Sequence, residues 1–453
     1  MTSAAEQFAS NINLASFAKA EELKKRLLFT LGALIVYRLG TYIPIPGINP
    51  DAYAQQFQSQ QSGLLGTLNI FTGGAVERMA IFALNIMPYI SASIIMTLMT
   101  AMMPSLEAIK KEGEQGRRQI NQYTRYLTVF LAVMQGYFIA VTLQSPGGTG
   151  TPVVSNPGVV FLLTTVITLV GGVMFLLWLG EQITARGVGN GVSLIIFAGI
   201  VAELPRAAFG LFALGRGTAD SGQTLPGSIV LLVLVMSLAL IAFVVFMERS
   251  QRRVLVQYPR RQVGQKMTQG DKSHLPLKLN PSGVIPPIFA SSLLLLPATA
   301  AGAFGPNAPE FVQNLQIWFA PGRPLYMALY AFGIIGFTFV YTSVVFNVDD
   351  VADNLKKHGG FIQGYRPGPR TAEYLDHLMT RLTVIGAAYL TFVCLMPEFL
   401  RLNYPSIPVY LGGTSLLIVV SVTLDTVGQI QGHLVAQQYE SLIKKSKLRG
   451  SRR

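Results

Sequence analysis

Charged residues are scarce in this chain of 453 residues, and their scarcity excludes several classes of protein. Only 13% of the residues are charged, whereas 51% are hydrophobic, and the mean hydropathy is +0.44. A water-soluble core interleaves charges every helical turn or so, but stretches such as 79–106 and 126–180 contain none. These stretches are long enough to cross a bilayer. The composition therefore indicates a polytopic membrane protein and excludes a disordered chain.

Cysteine is almost absent as well. The single residue of this type, Cys394, lies in an apolar run and has no second cysteine with which to form an intrachain disulfide. We interpret it as a small buried side chain. A secreted, disulfide-stapled protein is therefore excluded.

Motifs that would indicate chemistry are missing too. No G-x-x-x-x-G-K-[ST] motif occurs, so we expect no nucleotide hydrolysis by this chain. The glycine-rich run 187–191 follows a predicted transmembrane helix, which favours a helix-end turn over a phosphate-binding loop. The four histidines lie far apart without metal-ligand spacing. We expect no catalytic residue, no cofactor and no metal.

Apolar runs broken at Gly, Pro, Asn and charged residues predict ten transmembrane helices, since each crossing needs about 20 residues. The basic residues Lys24, Lys25 and Arg26 precede the first run without a small-x-small cleavage pattern, so we expect a retained helix and not a signal peptide. The predicted crossings are 27–43, 80–102, 126–143, 159–179, 191–208, 227–247, 283–304, 325–346, 382–400 and 410–429.

The distribution of basic residues predicts the orientation. Most of the 35 Lys and Arg residues fall in one set of loops, which places both termini in the cytoplasm. This bias also explains most of the net charge of +13, so the charge alone is weak support for any partner. The predicted regions are a cytoplasmic N-terminal segment (1–26), an N-terminal half (27–210), an external hinge loop (211–226), a C-terminal half (227–430) and a basic cytoplasmic tail (431–453).

Two cytoplasmic loops, 248–280 and 347–380, are much longer than helix connections usually are. Both interleave Arg and Lys with aromatic residues and have Pro and Gly at their turns. We predict that they are structured docking loops. The alternative is a pair of solvated basic loops that only enforce topology.

Between the first and second crossings lies an uncharged segment whose apolar core, 63–74, is too short to span the membrane. Non-helical or half-helical backbone at membrane depth survives only when it is buried in protein or lines an aqueous cavity. A re-entrant segment here would thus imply such a cavity. The alternative is an amphipathic stretch on the outer interface.

We expect ionisable side chains near the spans only at Arg38 and Asp425, both toward a span's end. Ion-coupled transporters use intramembrane ionisable groups as relays, so proton coupling is not expected. Two other classes remain open at this point. One is a secondary transporter for a small neutral solute, built from inverted repeats, and the other is a scaffold that only recruits a cytoplasmic ATPase.

Long motifs spread along the whole chain closely resemble the SecY family, the pore subunits of the bacterial Sec protein translocase. The motifs are 42–48 (YIPIPGI), 81–95 (IFALNIMPYISASII), 109–126 (IKKEGEQGRRQINQYTRY), 178–197 (WLGEQITARGVGNGVSLIIF), 273–278 (SHLPLK), 280–292 (NPSGVIPPIFASS), 352–357 (ADNLKK), 379–383 (MTRLT) and 412–420 (GGTSLLIVV).

This resemblance implies an all-α polytopic membrane protein with ten transmembrane helices in two inverted five-helix halves around a central pore. It implies SecE and SecG as membrane partners, and the SecA ATPase or a translating ribosome on the cytoplasmic loops. Unfolded secretory preproteins would pass through the pore, while signal sequences and other apolar segments would leave sideways into the membrane lipid. The implied location is the bacterial inner membrane.

The resemblance also implies roles for three sets of residues. The pore ring falls on Ile86, Ile90, Val192, Ile196, Ile288 and Ile418, where Val192 is shorter than the family's usual Ile. The plug falls on 63–74, with Leu64, Leu65, Leu68, Asn69, Ile70 and Phe71. The docking surface for SecA or the ribosome falls on Arg260, Arg261, Lys266, Lys356, Lys357, Arg366 and Arg370. We expect apolar residues of the fourth helix such as Val166 and Leu169 to face lipid.

Overall fold

The computed structural model describes residues 21–60, 66, 69, 71–144, 153–216, 226–258, 262–263, 266–267, 272–302, 309–311, 318, 323–403 and 413–450. This part of the chain is mainly helical. Its helices are α1 (Glu21–Gly40), α2 (Pro50–Gln60), α3 (Met87–Met102), α4 (Pro104–Lys111), α5 (Glu114–Gln144), α6 (Val159–Arg186), α7 (Gly191–Arg216), α8 (Gly227–Arg249), α9 (Ile285–Gly302), α10 (Pro324–Val345), α11 (Val348–Lys357), α12 (Pro369–Asn403) and α13 (Gly413–Gly450).

Each of the ten predicted crossings overlaps one of these helices. Within the described part of the chain, seven helical segments are long and apolar enough to cross a membrane by themselves. They correspond to α5, α6, α7, α8, α10, α12 and α13. The pair α3 and α4, bent by 99°, provides an eighth if it counts as one span. The two remaining predicted crossings coincide with α1 and α9.

The predicted start of the second crossing at residue 80 is wrong, because α3 begins only at Met87. Residues 81–86 form turns, and both Met79 (φ 44°) and Asn85 (φ 48°) have left-handed backbone. Such residues interrupt a right-handed helix. Pro88 then stands in the first turn of α3, where its fixed φ and missing N–H do no harm. Hydropathy measures apolarity, and an apolar run need not be helical throughout.

Two small antiparallel sheets depart from all-α architecture among the described residues. Strand β1 (Gln251–Gln257) lies between β4 (Lys272–Lys278) and β5 (Phe361–Ile362), while β2 (Gln262–Val263) and β3 (Lys266–Met267) pair with each other. Val254 and Val256 alternate with more exposed neighbours and are buried, as a half-buried strand requires. The sheet of β4, β1 and β5 joins the two long loops into one structured unit.

The three largest clusters of buried side chains among the described residues are one core in each half and a third core that the halves share. Phe57 and Leu169 belong to the core of the N-terminal half, and Tyr330 belongs to that of the C-terminal half. The shared core contains Ile195 from α7 and Ile418 from α13. This contact between the halves contains the predicted pore-ring residues and Phe71 of the predicted plug.

Candidate functional site

Six aliphatic side chains from four parts of the chain meet in the core that the halves share. All six predicted ring residues belong to it: Ile86, Ile90, Ile196 and Ile418 are buried, and Val192 and Ile288 pack against them half-buried. They come from the segment that enters α3, from α7, from α9 and from α13. The structure thus brings together residues that are more than 300 positions apart in sequence.

Ile86 and Ile90 keep helical spacing although they do not lie on one helix. Ile86 is the residue before α3, with φ −97°, so the prediction that both belong to the same helix is wrong. The backbone N–H of Ile90 donates to the carbonyl of Ile86 at 3.1 Å. This hydrogen bond closes one turn, and it holds the two side chains on the same side of the chain.

The segment 63–74 is only partly described. Among the predicted plug residues, Asn69 and Phe71 are described, whereas Leu64, Leu65, Leu68 and Ile70 lie outside the described residues. Asn69, Phe71 and Thr72 are helical and buried, and Phe71 packs in the same cluster as the aliphatic ring. The burial of the polar side chains of Asn69 and Thr72 favours a segment enclosed by protein, because a stretch on the membrane interface would turn its polar side chains to water.

Three hydrogen bonds fasten the backbone of this segment to its surroundings. The hydroxyl of Tyr37 on α1 donates to the carbonyl of Thr72 at 3.2 Å, and the Asn85 amide donates to the carbonyl of Phe71 at 2.6 Å. The Arg38 guanidinium donates to the carbonyl of Gly73. These carbonyls would otherwise be unpaired in a buried place, which costs about 1–3 kcal/mol each.

The end of the segment lies directly against the backbone of α7. A Cβ atom added at Gly199 would be 2.8 Å from the carbonyl oxygen of Phe71 and 3.0 Å from the hydroxyl of Tyr37. A Cβ atom added at Gly73 would be 2.9 Å from the Cα of Gly199, and Gly73 has a positive φ of 64°. Glycine is therefore needed on both sides of this contact.

Charged residues within α7 are the feature that sequence reasoning missed. Glu203 has 2% of its surface exposed, and its Oε1 lies 3.8 Å from the guanidinium of Arg38. Arg206 makes two hydrogen bonds to the carboxylate of Glu77, at 2.7 and 2.9 Å. The expectation that only Arg38 and Asp425 lie near a span is thus wrong. A Glu inside an apolar helix was the available signal, because such residues are rare and usually functional.

Five residues of α7 that belong to these contacts lie on one face of the helix. Val192, Ile196, Gly199, Glu203 and Arg206 follow one another at alternating spacings of four and three residues, and residues so spaced share a helical face. Along this face, the aliphatic Val192 and Ile196 come first, Gly199 follows, and the charged Glu203 and Arg206 come last. It aligns the ring, the plug segment and the charged residues along a single line.

Four of the predicted docking residues are exposed on the segment between α10 and α12. Lys356 and Lys357 end α11, Arg366 lies between two turns, and Arg370 lies in the first turn of α12. Tyr365 stacks on Tyr374, with ring centroids 4.3 Å apart, which fixes the turn beside Arg366. Lys266 lies in β3, and Arg260 and Arg261 lie outside the described residues.

The expected lipid face of α6 is partly wrong. Leu169 is completely buried, in the core of the N-terminal half, and Val166 is half-buried. Leu163 and Ile167 are 54% and 69% exposed, and they belong to the outward face. Lipid-facing control residues for α6 are therefore Leu163 and Ile167.

Comparison with known proteins gives one consistent result. A family model described as SecY matches residues 80–427. The chain is similar to the protein translocase subunit SecY of Escherichia coli strain K12, with 52% identity over 431 residues that cover 95% of this chain and 96% of the relative.

Solved structures with the same fold include one described as a SecY protein whose plug domain stabilises the closed state of the translocation channel and maintains a membrane seal. Its TM-score is 0.65 at 17% identity, covering 90% of this chain and 92% of that chain. Sec61 in a canine ribosome–channel complex from the endoplasmic reticulum has a TM-score of 0.60 at 16% identity, with the same coverage.

Proposed function

This chain belongs to the SecY family, and from that premise we propose how it conducts unfolded secretory polypeptides across the bacterial inner membrane. It is a multi-pass membrane protein and a protein-conducting channel. We assign the two inverted halves to 27–210 and 227–430. The predicted hinge loop 211–226 begins too early, because α7 continues to Arg216. The bias of Lys and Arg toward one set of loops supports cytoplasmic positions for both termini.

The aliphatic ring is the seal of the resting channel, and its convergence from four parts of the chain is the observation that carries the proposal. An ion that enters a constriction lined by branched aliphatic groups loses its hydration, and no polar group replaces it. The ring contains no directional bond that must break. It can therefore widen around a passing polypeptide and close again behind it.

Sideways release into the lipid requires a seam in the wall of the channel. Helix α9, which carries Ile288, packs against α3 and α5 of the other half. On its own side it meets α10, where Phe289 and Phe337 form an edge-to-face pair at 6.1 Å. We assign the exit to the boundary of α9 and α10 with α3 and α5. At this boundary an apolar signal sequence can move from the pore into the lipid without crossing a polar barrier.

The segment 63–74 is a movable stopper on the outer side of the ring. Its described part meets α7 through glycines and is held by hydrogen bonds from Tyr37 and Asn85. Among its described residues only Phe71 packs in the shared apolar core, so few contacts must break when the segment leaves. Together, ring and stopper close the resting pore at two levels.

The driving force comes from partners. We propose that SecA or a translating ribosome docks on the exposed basic residues around α11 and on the β2–β3 hairpin, and that SecE and SecG complete the channel in the membrane. Sec61, a relative in fold, is described in a ribosome complex, which supports the ribosome as one such partner. We assign no catalytic residue to this chain. The alternative of a solute transporter finds no support among the relatives.

Reconstitution tests the proposal. The chain is placed in vesicles with SecE and SecG, and a preprotein is added outside with SecA and ATP. We expect preprotein to become protected from protease only when the chain and ATP are both present. Vesicles that lack the chain are the control. Equal protection with and without the chain would refute the proposed function.

A further inference from the structure

Four charged residues of alternating sign connect the two ends of the described plug. The order of contacts is Glu77, Arg206, Glu203 and Arg38. Glu77 and Arg38 each contact the plug segment directly, and Glu203 and Arg206 belong to α7. Arg78 adds a further positive charge at the end of the plug, where it donates to the carbonyl of Gly74 at 3.4 Å.

The contact at Glu77 is made by a forked pair of hydrogen bonds. Arg206 donates to both carboxylate oxygens of Glu77, at 2.7 and 2.9 Å. Glu77 is itself bound to the plug, since its backbone N–H donates to the Asn69 side-chain oxygen at 2.9 Å and its carboxylate accepts from the Asn69 amide at 3.3 Å. A bidentate Arg–carboxylate pair is stronger and more directional than a single ion contact.

The contact at Glu203 is made where the plug ends. Arg38 donates to the carbonyl of Gly73 and lies 3.8 Å from Glu203 Oε1. A Cβ atom added at Gly74 would be 2.6 Å from the same carboxylate oxygen. The carboxylate of Glu203 therefore lies against the last residue of the plug.

Glu203 is the residue that makes this arrangement depend on the position of the plug. Its Oε2 accepts no hydrogen bond from any residue that the structure describes and lies 4.0 Å from Arg206. A buried carboxylate is tolerated only with compensating charge beside it. Arg38 and Arg206 supply that charge, and both are held in place by the plug or by Glu77, which is bound to it.

We propose that Glu203 and Arg206 form, with Arg38 and Glu77, an ionic clasp that holds the plug closed and sets how often the resting channel opens. This inference rests on the proposed function, because it takes 63–74 as the stopper. Glu203 and Arg206 act through the plug, so they are positioning residues. The clasp adds a polar restraint to the apolar seal, and a polar restraint responds to salt and to charge.

The test measures the open fraction of the resting channel in planar bilayers, with the full chain and its membrane partners. The variants are Arg206→Gln, Glu77→Gln, their combination and Arg206→Lys. The matched control is Arg216→Gln, which removes the same charge from the exposed end of the same helix. The side chain of Arg206 is 55% exposed and that of Glu77 is 16% exposed. Thermal unfolding in detergent verifies that each variant folds.

Each single neutral variant should raise the open fraction about two- to fivefold. The open fraction of the double variant should be only slightly higher than that of either single variant, because both single changes remove the same ion pair. The open fraction of Arg206→Lys should lie between those of the parent and Arg206→Gln, since Lys keeps the positive charge but cannot make the bidentate pair of hydrogen bonds. Raising salt from about 0.1 M to about 1 M should open the parent channel more than Arg206→Gln, because the Debye length falls from about 10 to about 3 Å.

Two results would overturn the clasp. One is an open fraction in the single variants equal to that of the parent and of Arg216→Gln. The other is fully additive effects in the double variant. Preprotein translocation by the parent and the leak of a channel lacking 63–74 are measured in parallel. If both occur and the clasp variants stay closed, only the clasp is wrong, whereas a parent without translocation refutes the proposed function.

Discussion

Replacing Gly199 with Ala puts one methyl group between α7 and the plug. The added Cβ would lie 2.8 Å from the carbonyl oxygen of Phe71, where ordinary contact begins at 3.4 Å. The plug backbone must therefore retreat by about 0.6 Å. The hydroxyl of Tyr37, which donates to Thr72 and would be 3.0 Å from the same methyl group, must move as well.

The expected magnitude follows from where the strain falls. Overpacking of a tight contact costs about 1–3 kcal/mol, and here it acts only when the plug is seated. Replacing a helical Gly with Ala also stabilises the helix by about 1 kcal/mol, but α7 is helical whether the plug is in or out, so this gain cancels. A shift of about 1.4 kcal/mol corresponds to a tenfold change in the ratio of open to closed channels.

Ion conductance of the resting channel measures this change. Gly199→Ala should conduct about tenfold more often than the parent, while preprotein translocation continues. Gly210→Ala is the matched control, because Gly210 lies on the same helix and an added Cβ meets nothing within 4 Å. If folded Gly199→Ala is as tight as Gly210→Ala, the plug does not close against this face of α7.

Three further predictions concern the ring, the plug and the loops. Replacing two or more ring residues with Ser should leave translocation intact and make the resting channel leak, and the conductance should grow with each replacement. The controls Leu163→Ser and Ile167→Ser, on the outward face of α6, should not leak. If the ring variants are as tight as these controls, the dewetting seal is wrong. Deleting 63–74 should keep the chain folded and raise resting ion permeability, and single-channel records like those of the parent would favour an interfacial segment. Reversing Arg366 to Glu, alone or with Lys266→Glu, should slow association with SecA or ribosomes and change its salt dependence without loss of folding; unchanged binding at physiological salt would remove the docking role.

The positions of the crossings could be predicted from sequence, since hydropathy and Gly/Pro breaks identify apolar helices directly. The start of α3 could not, because the left-handed backbone at Asn85 is set by tertiary contacts such as its bond to Phe71. The sheet was also missed. Strand β5 has only two residues and comes from a loop about a hundred residues away from β1.

The candidate site was predictable only in part. An Ile in a membrane helix is most often packing or lipid surface, so the ring residues came from the family resemblance and not from their periodicity. The sequence does not distinguish the buried Leu169 from the exposed Leu163. Both positions require an apolar side chain, because lipid is as apolar as a protein core. Glu203 carried a readable signal, whereas its pairing with Arg38 and the pairing of Arg206 with Glu77 depend on the fold.

The sheet formed by β4, β1 and β5 gives the two long loops a mechanical consequence. Strand β1 is hydrogen-bonded along its whole length to β4 and at its end to β5. The two loops are therefore joined and move as one rigid unit. Strand β4 ends at Lys278, seven residues before α9 begins, and Asn280 ties this link to Glu248 at the end of α8 with a 2.9 Å hydrogen bond. A load applied to either loop is thereby delivered to the helix that carries Ile288.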